Sequence, residues 1–155
     1  LEPGSVWFAL CCGVLLVIPL SVTSGTVAGL FYLGLLVLGM LANVLLRKGL
    51  FSWVLWAAAF ACYPGYLSYA GWAGESAGGA PHWVMVALAA ALGVGVHFLT
   101  ALWGLVADNE DKWTYLPLKA GLKLGAGKLL LVTLVYIALV IAGMLYAASA
   151  VGLRA

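Results

Sequence analysis

The chain has 155 residues, of which 66% are hydrophobic and only 8% are charged, and its formal net charge is +2. Soluble domains carry roughly 25% charged residues, so this chain has too little polar surface to cover itself in water. The composition excludes an ordinary soluble domain and predicts an integral membrane protein. The small net charge gives no indication of a nucleic-acid partner.

Long apolar runs rich in Leu, Ala and Val follow one another along the chain. Each run is near the roughly 20 residues that a helix needs to cross hydrocarbon, and the alternation of a membrane barrel is absent. We therefore predict an all-α, polytopic transmembrane bundle, because helices satisfy their backbone hydrogen bonds internally in lipid. The five predicted spans are residues 5–22, 27–46, 50–72, 82–107 and 128–148.

Two further features of the sequence refine this prediction. Pro64 and Gly65 lie inside the third span and predict a kink or local unwinding there, because proline removes a helix hydrogen bond. The opening letters, LEPGSVWF, are more typical of an interior loop than of a beginning. We expect residues 1–155 to form a single transmembrane domain that is part of a larger bundle.

The basic residues predict the orientation of the bundle. Arg47 and Lys48 follow the second span, and four lysines follow the fourth span. Two spans separate these segments, so both lie on the same face. That face carries six basic residues against one, Arg154, on the other. The positive-inside rule predicts that the basic face is cytoplasmic, in an inner or plasma membrane.

Half of the formal charges lie in a predicted cytoplasmic loop, residues 107–127. Asp108 and Asp111 are three residues apart, so a continuing helix would place both carboxylates on one face, where oxygen ligands suit Mg²⁺. Nearby lysines are point charges suited to phosphate oxygens, and they are Lys112, Lys119 and Lys123. This pattern indicates a site for a lipid diphosphate. The alternative is an ordinary solvated loop whose lysines set the topology.

Three further residues are candidates for the wall of a cavity. His97 is an ionisable residue inside a predicted span, which is a functional candidate by default, although a neutral histidine hydrogen-bonded inside the bundle is the alternative. Asn43 precedes the basic pair and either faces the site or caps its helix. Trp103 either flanks a ligand or fills the core.

Two stretches resemble the UbiA superfamily of intramembrane prenyltransferases. In residues 97–136, HFLTALWGLVADNEDKWTYLPLKAGLKLGAGKLLLVTLVY, a helix runs into an aspartate-rich motif, followed by a basic stretch and Leu-Gly before the next helix. This order is similar to the family's second aspartate-rich region. Residues 43–67, NVLLRKGLFSWVLWAAAFACYPGYL, resemble the family's segment in which a basic pair separates two helices. The resemblance places the five spans as the third to seventh of a nine-helix fold.

The resemblance implies Mg²⁺-dependent transfer of a prenyl group from a prenyl diphosphate to a lipophilic or aromatic acceptor. Asp108 and Asp111 would hold Mg²⁺, and the diphosphate contacts would be Lys112, Lys119 and Lys123. No residue is assigned to catalysis. The family's other aspartate motif is absent from this chain, and Lys112 stands where the last acid of the motif is expected. These departures favour the alternative of a non-catalytic, UbiA-derived subunit that packs with partner membrane subunits and binds lipid, quinone or pigment.

Overall fold

The computed structural model describes residues 2–44, 48–71 and 79–151, and the secondary structure within these ranges is entirely helical. This confirms the predicted all-α fold class. The described helices are α1 (Pro3–Val22), α2 (Thr26–Val44), α3 (Ser52–Tyr69), α4 (Trp83–Ala101), α5 (Leu105–Glu110), α6 (Leu116–Leu124) and α7 (Ala126–Val151).

Four of the described helices are long and apolar enough to cross a membrane, and they are α1, α2, α4 and α7. Many of their large hydrophobic side chains are exposed, as in a bundle whose outer surface faces lipid. The third predicted span, residues 50–72, corresponds to α3, which is not among the four. Its 18 residues include four tyrosines or tryptophans beyond its first turn, together with Pro64 and Gly65, and these make it less apolar.

The helix α3 runs without interruption through Pro64, so the predicted local unwinding is not observed. The adjacent Gly65 is buried against α2, where a Cβ atom would lie 2.5 Å from the Phe31 ring. Glycine at this position therefore allows the aromatic ring to sit directly on the α3 backbone.

The bundle is built around α3 and α4, because α3 packs against both α2 and α4, while α4 also packs against α7. The core between these helices is made largely of small residues, such as Ala42, Ala59 and Ala89, which let the helices approach closely. At Gly93 the helix α4 lies close to the α3 backbone, since a Cβ atom there would lie 2.5 Å from the Trp56 carbonyl oxygen. The first helix, α1, packs on α2 at the edge of the bundle.

The charged segment differs from its prediction in two ways. The fourth span was expected to continue to residue 107, but α4 ends at Ala101, and α5 begins after a turn that contains Gly104. Residues 107–127 were expected to form a loop, but they contain most of α5 and all of α6. Pro117 near the start of α6 and Gly125, with φ of +82°, after its end are typical helix boundaries.

Candidate functional site

A buried polar pair joins α3 to α4 near one end of the bundle. Ser52 Oγ and His97 Nε2 are 2.9 Å apart and hydrogen-bonded, and only 1% of Ser52 and 7% of His97 is exposed. The Trp56 ring lies 5.7 Å from the imidazole, between centroids. His97 is therefore held in one orientation by a hydroxyl group and an aromatic wall.

Asp108 is the acid that the structure turns toward the interior. Its carboxylate packs over Gly104, where a Cβ atom would lie 2.6 Å from Asp108 Oδ2. The hydroxyl of Tyr115, a residue only 2% exposed, donates a hydrogen bond to the same oxygen. The backbone N–H group of Trp113 donates a hydrogen bond of 3.0 Å to the Asp108 carbonyl oxygen, and this bond closes the turn after α5. The carboxylate is thus positioned by the backbone before it and the tyrosine after it.

The basic segment before α3 lies against the segment between α5 and α6. Thr114 donates two hydrogen bonds to the Lys48 carbonyl oxygen, from its N–H at 3.0 Å and from its hydroxyl at 3.3 Å. The Lys48 ammonium lies 5.3 Å from the centroid of the Trp113 ring, in cation–π contact. The two charged segments therefore share one end of the bundle, as predicted from the number of spans between them. Arg47 lies outside the described residues.

Several of these residues line a cavity of about 550 Å³. Its wall combines α2, α3, α4 and α5 with the segment before α6. The lining residues are Ala42, Asn43, Trp56, His97, Thr100, Ala101, Trp103, Gly104, Asp108, Trp113 and Tyr115. The polar side chains in the lining are those of Asn43, His97, Thr100, Asp108 and Tyr115, and three tryptophans also contribute to the wall. We call this space the main cavity.

Four of the residues predicted from the sequence line the main cavity, and they are Asn43, His97, Trp103 and Asp108. The Asn43 amide also donates a hydrogen bond to the Gly39 carbonyl oxygen one turn earlier, at 3.3 Å. Trp103 is 94% exposed, so it forms the rim. The other four predicted residues are exposed and do not contribute to the lining, and they are Asp111, Lys112, Lys119 and Lys123.

A second cavity, of about 310 Å³, shares Asn43 and Trp56 with the main cavity. Its wall is almost entirely apolar and comes from α2 and α3. The remaining lining residues are Leu35, Leu36, Gly39, Met40, Ala59, Phe60 and Tyr63. We call this space the apolar extension, because its wall adjoins that of the main cavity at Asn43 and Trp56.

Sequence reasoning missed the contributions of Ser52, Tyr115 and Lys48 to this site. Ser52 and His97 are 45 residues apart, and no local pattern pairs them. Lys48 was interpreted only as a determinant of orientation. The observation that could have placed it near the site is the shared face of the two basic segments.

The ligand set for a metal ion in the described part of the chain is small. Asp108 is the single acid in the lining of the main cavity. No group of three or more His, Cys, Asp or Glu side chains that could hold a metal ion occurs within residues 2–44, 48–71 and 79–151. A carboxylate such as Asp108 suits Mg²⁺ that is shared with substrate phosphates, which needs only one or two protein carboxylates.

Comparison with protein-family models, with curated proteins and with solved structures finds no match for this chain.

Proposed function

We propose that the chain binds a prenyl diphosphate and supports Mg²⁺-dependent transfer of the prenyl group to a lipophilic or aromatic acceptor. One observation carries the proposal: the Asp108 carboxylate lines a 550 Å³ cavity that shares two wall residues with a 310 Å³ apolar cavity. An acidic, polar chamber that lies beside an apolar one is complementary to a molecule with a metal-binding head and a hydrocarbon tail.

The head of the substrate is assigned to the Asp108 end of the main cavity. Asp108 would hold Mg²⁺, which when bound supplies the positive charge that offsets a diphosphate. Tyr115 keeps the carboxylate in place by a hydrogen bond, and the Lys48 ammonium lies against the ring of Trp113, which lines the main cavity. Contacts from Asp111, and from the lysines that follow it, stay predictions, and these side chains would approach the head from outside the cavity.

The tail of the substrate is assigned to the apolar extension. Trp56, Phe60 and Tyr63 lie on α3 at spacings of three or four residues, so their rings form a continuous stripe on one side of the helix. Such a stripe gives an isoprenoid chain apolar area to bury. Trp56 belongs to both chambers, and its ring is suited to positive charge that develops on an allylic carbon next to the head.

The charged end of the bundle is proposed to face the cytoplasm of an inner or plasma membrane. The described basic residues in the segments at this end are Lys48, Lys112, Lys119, Lys123 and Lys128. Short loops with such an excess of Lys and Arg are retained on the cytoplasmic side. A soluble cytoplasmic diphosphate would then reach the main cavity without crossing the bilayer.

A second candidate function is a non-catalytic membrane subunit that uses the two cavities to bind lipid, quinone or pigment beside partner subunits. The presence of a single acid in the lining of the main cavity favours this alternative. Under it, the aromatic and apolar walls are the binding surface, and Asp108 serves only to fix the turn before Tyr115.

The two candidates are separated by binding of a fluorescent prenyl diphosphate to the purified chain, with Mg²⁺ and with EDTA. The first predicts Mg²⁺-dependent binding that Asp108→Asn weakens by at least about tenfold, since even outer-shell partners of a metal contribute that much. Glu110→Gln is the matched control, because it removes one exposed negative charge two residues away. Binding that is absent in the wild-type chain, or equal in the presence of EDTA, would exclude the first candidate.

A further inference from the structure

A third cavity, of about 390 Å³, lies among α4, α6 and α7. This volume falls in the range of roughly 300–1,000 Å³ that small-molecule sites occupy. Its lining is apolar except for the hydroxyl groups of Thr133 and Tyr136, and Asp108 does not contribute to it. Two lining residues, Leu124 and Val132, are 45% and 57% exposed, so the cavity opens to the outside of the bundle. We call this space the lateral cavity.

The helix α6 presents two adjacent stripes beside this opening. Leu116, Ala120 and Leu124 are spaced four residues apart and line the lateral cavity. Lys119 and Lys123 are exposed, and each precedes a lining residue by one position. One position corresponds to about 100° around a helix, so the ammonium groups flank the opening. Lys128, also exposed, lies in the first turn of α7 next to the lining residue Leu129.

The remaining face of α6 anchors it to the bundle. Pro117, Leu118 and Gly121 are buried, and Leu118 is only 1% exposed. The sequence of α6, LPLKAGLKL, contains no acidic residue that could neutralise its lysines. A short helix with a buried apolar face and a basic exposed edge, at the end of a membrane bundle, is typical of helices that lie at the level of the lipid headgroups.

We propose that α6 and the lateral cavity form a binding site for an anionic phospholipid. An acyl chain fills the apolar space between α4 and α7, and the headgroup phosphate contacts Lys119 and Lys123, with Lys128 completing the basic edge. Two observations favour a lipid over a soluble phosphate: the lining is apolar, and it opens toward the lipid-facing side. The basic edge without acids selects an anionic headgroup over a zwitterionic one. In this site Lys119 and Lys123 bind a phospholipid headgroup instead of the diphosphate for which the sequence predicted them. The lateral cavity shares no lining residue with the main cavity or the apolar extension, so the lipid proposal does not depend on the diphosphate site.

The test uses the chain in nanodiscs of equal phosphatidylglycerol and phosphatidylcholine, extracted in mild detergent, with retained phospholipid identified by mass spectrometry. The wild-type chain should retain phosphatidylglycerol preferentially. In Lys119→Gln/Lys123→Gln this preference should fall roughly fivefold for each lysine, which corresponds to about 1 kcal/mol per basic side chain at an anionic surface. Lys48→Gln is the matched control, because it removes an exposed charge from the same end of the bundle, and it should retain the preference.

A second variant tests the cavity independently of charge. Ala120→Phe places a ring into the lateral cavity from α6 and should displace the retained phospholipid while leaving the helical content unchanged by circular dichroism. The proposal is overturned if the double lysine variant retains as much phosphatidylglycerol as the wild-type chain, or if Ala120→Phe does. It is also overturned if millimolar glycerol 3-phosphate removes the lipid, because the site would then recognise a soluble phosphate.

Discussion

The hydrogen bond between Ser52 and His97 predicts a measurable coupling between two helices. Ser52→Ala leaves the His97 Nε2 atom without its partner at a place where only 7% of the histidine is exposed. A buried polar group that loses its partner costs about 1–3 kcal/mol in proteins generally, and interhelical bonds in membrane proteins contribute up to about 1.7 kcal/mol. We therefore expect Ser52→Ala to lower the free energy of unfolding by about 1–2 kcal/mol.

The partner variant is His97→Phe, which keeps an aromatic ring beside Trp56 and leaves the Ser52 hydroxyl unpaired. Its cost includes the same lost hydrogen bond. In the double variant both polar partners are gone, so its cost should fall short of the sum of the two single costs by about 1 kcal/mol.

The assay is equilibrium unfolding of the four proteins in mixed detergent micelles, followed by circular dichroism. Ser68→Ala is the matched control on the same helix, because its hydroxyl donates to the Gly79 carbonyl oxygen at an exposed position. It should change the free energy of unfolding by less than about 0.5 kcal/mol. If the costs of Ser52→Ala and His97→Phe add to within about 0.5 kcal/mol, the two groups are not coupled, and the reasoning is refuted.

Three further predictions follow from other contacts, each measured by the same unfolding assay. Gly93→Ala places a Cβ atom 2.5 Å from the α3 backbone and should lower the free energy of unfolding by about 1–3 kcal/mol. The control Gly13→Ala, with open space around the new Cβ atom, should be neutral or stabilising. Equal effects of the two variants would contradict the close packing of α3 and α4. Tyr115→Phe removes the hydroxyl that donates to Asp108 and should lower the free energy of unfolding by about 1.5–3 kcal/mol, the range for hydrogen bonds to charged groups. A decrease of less than about 0.5 kcal/mol would show that this hydroxyl does not hold the carboxylate. Lys112→Gly relieves a positive φ of +58° and should stabilise the chain by up to about 1 kcal/mol, and a loss of stability would contradict strain there.

The positions of the long helices could be predicted from the sequence because lipid imposes one strong constraint. A run of about 20 apolar residues has no alternative to a helix in hydrocarbon. The predicted start of the fourth span, at residue 82, agrees with α4, which begins at Trp83. Its end was misplaced by six residues, because a short turn around Gly104 leaves little signal in a hydrophobic run.

The side-chain arrangement of the charged segment could not be predicted in the same way. The expectation that Asp108 and Asp111 share a helical face assumed that the fourth span continues to residue 111. The turn before α5 redirects the chain, and Asp111 becomes the cap residue after α5, so only Asp108 lines the main cavity. The direction of a short helix depends on what it packs against, and this is decided by contacts between residues distant in sequence.

The identity of several cavity residues was nevertheless predictable. His97 lies inside a long apolar segment, and Asp108 lies just after the end of one. Polar groups in such positions require hydrogen-bonding partners. Which partners they find, Ser52 and Tyr115, depends on the close approach of α3 to α4 and on the fold of the segment before α6. The sequence therefore indicates where a polar contact is needed, while the packing of the helices decides how it is made.

The central position of α4 has a mechanical consequence. His97 lines the main cavity, and the next residue, Phe98, lines the lateral cavity, with their ring centroids 6.3 Å apart. A rotation of α4 about its own axis would reshape both spaces together. If filling one cavity turns this helix, it changes the affinity of the other, and thermodynamic linkage requires the effect to be equal in both directions. The lipid composition of the membrane would then change the affinity of the main cavity for the ligand that binds beside Asp108.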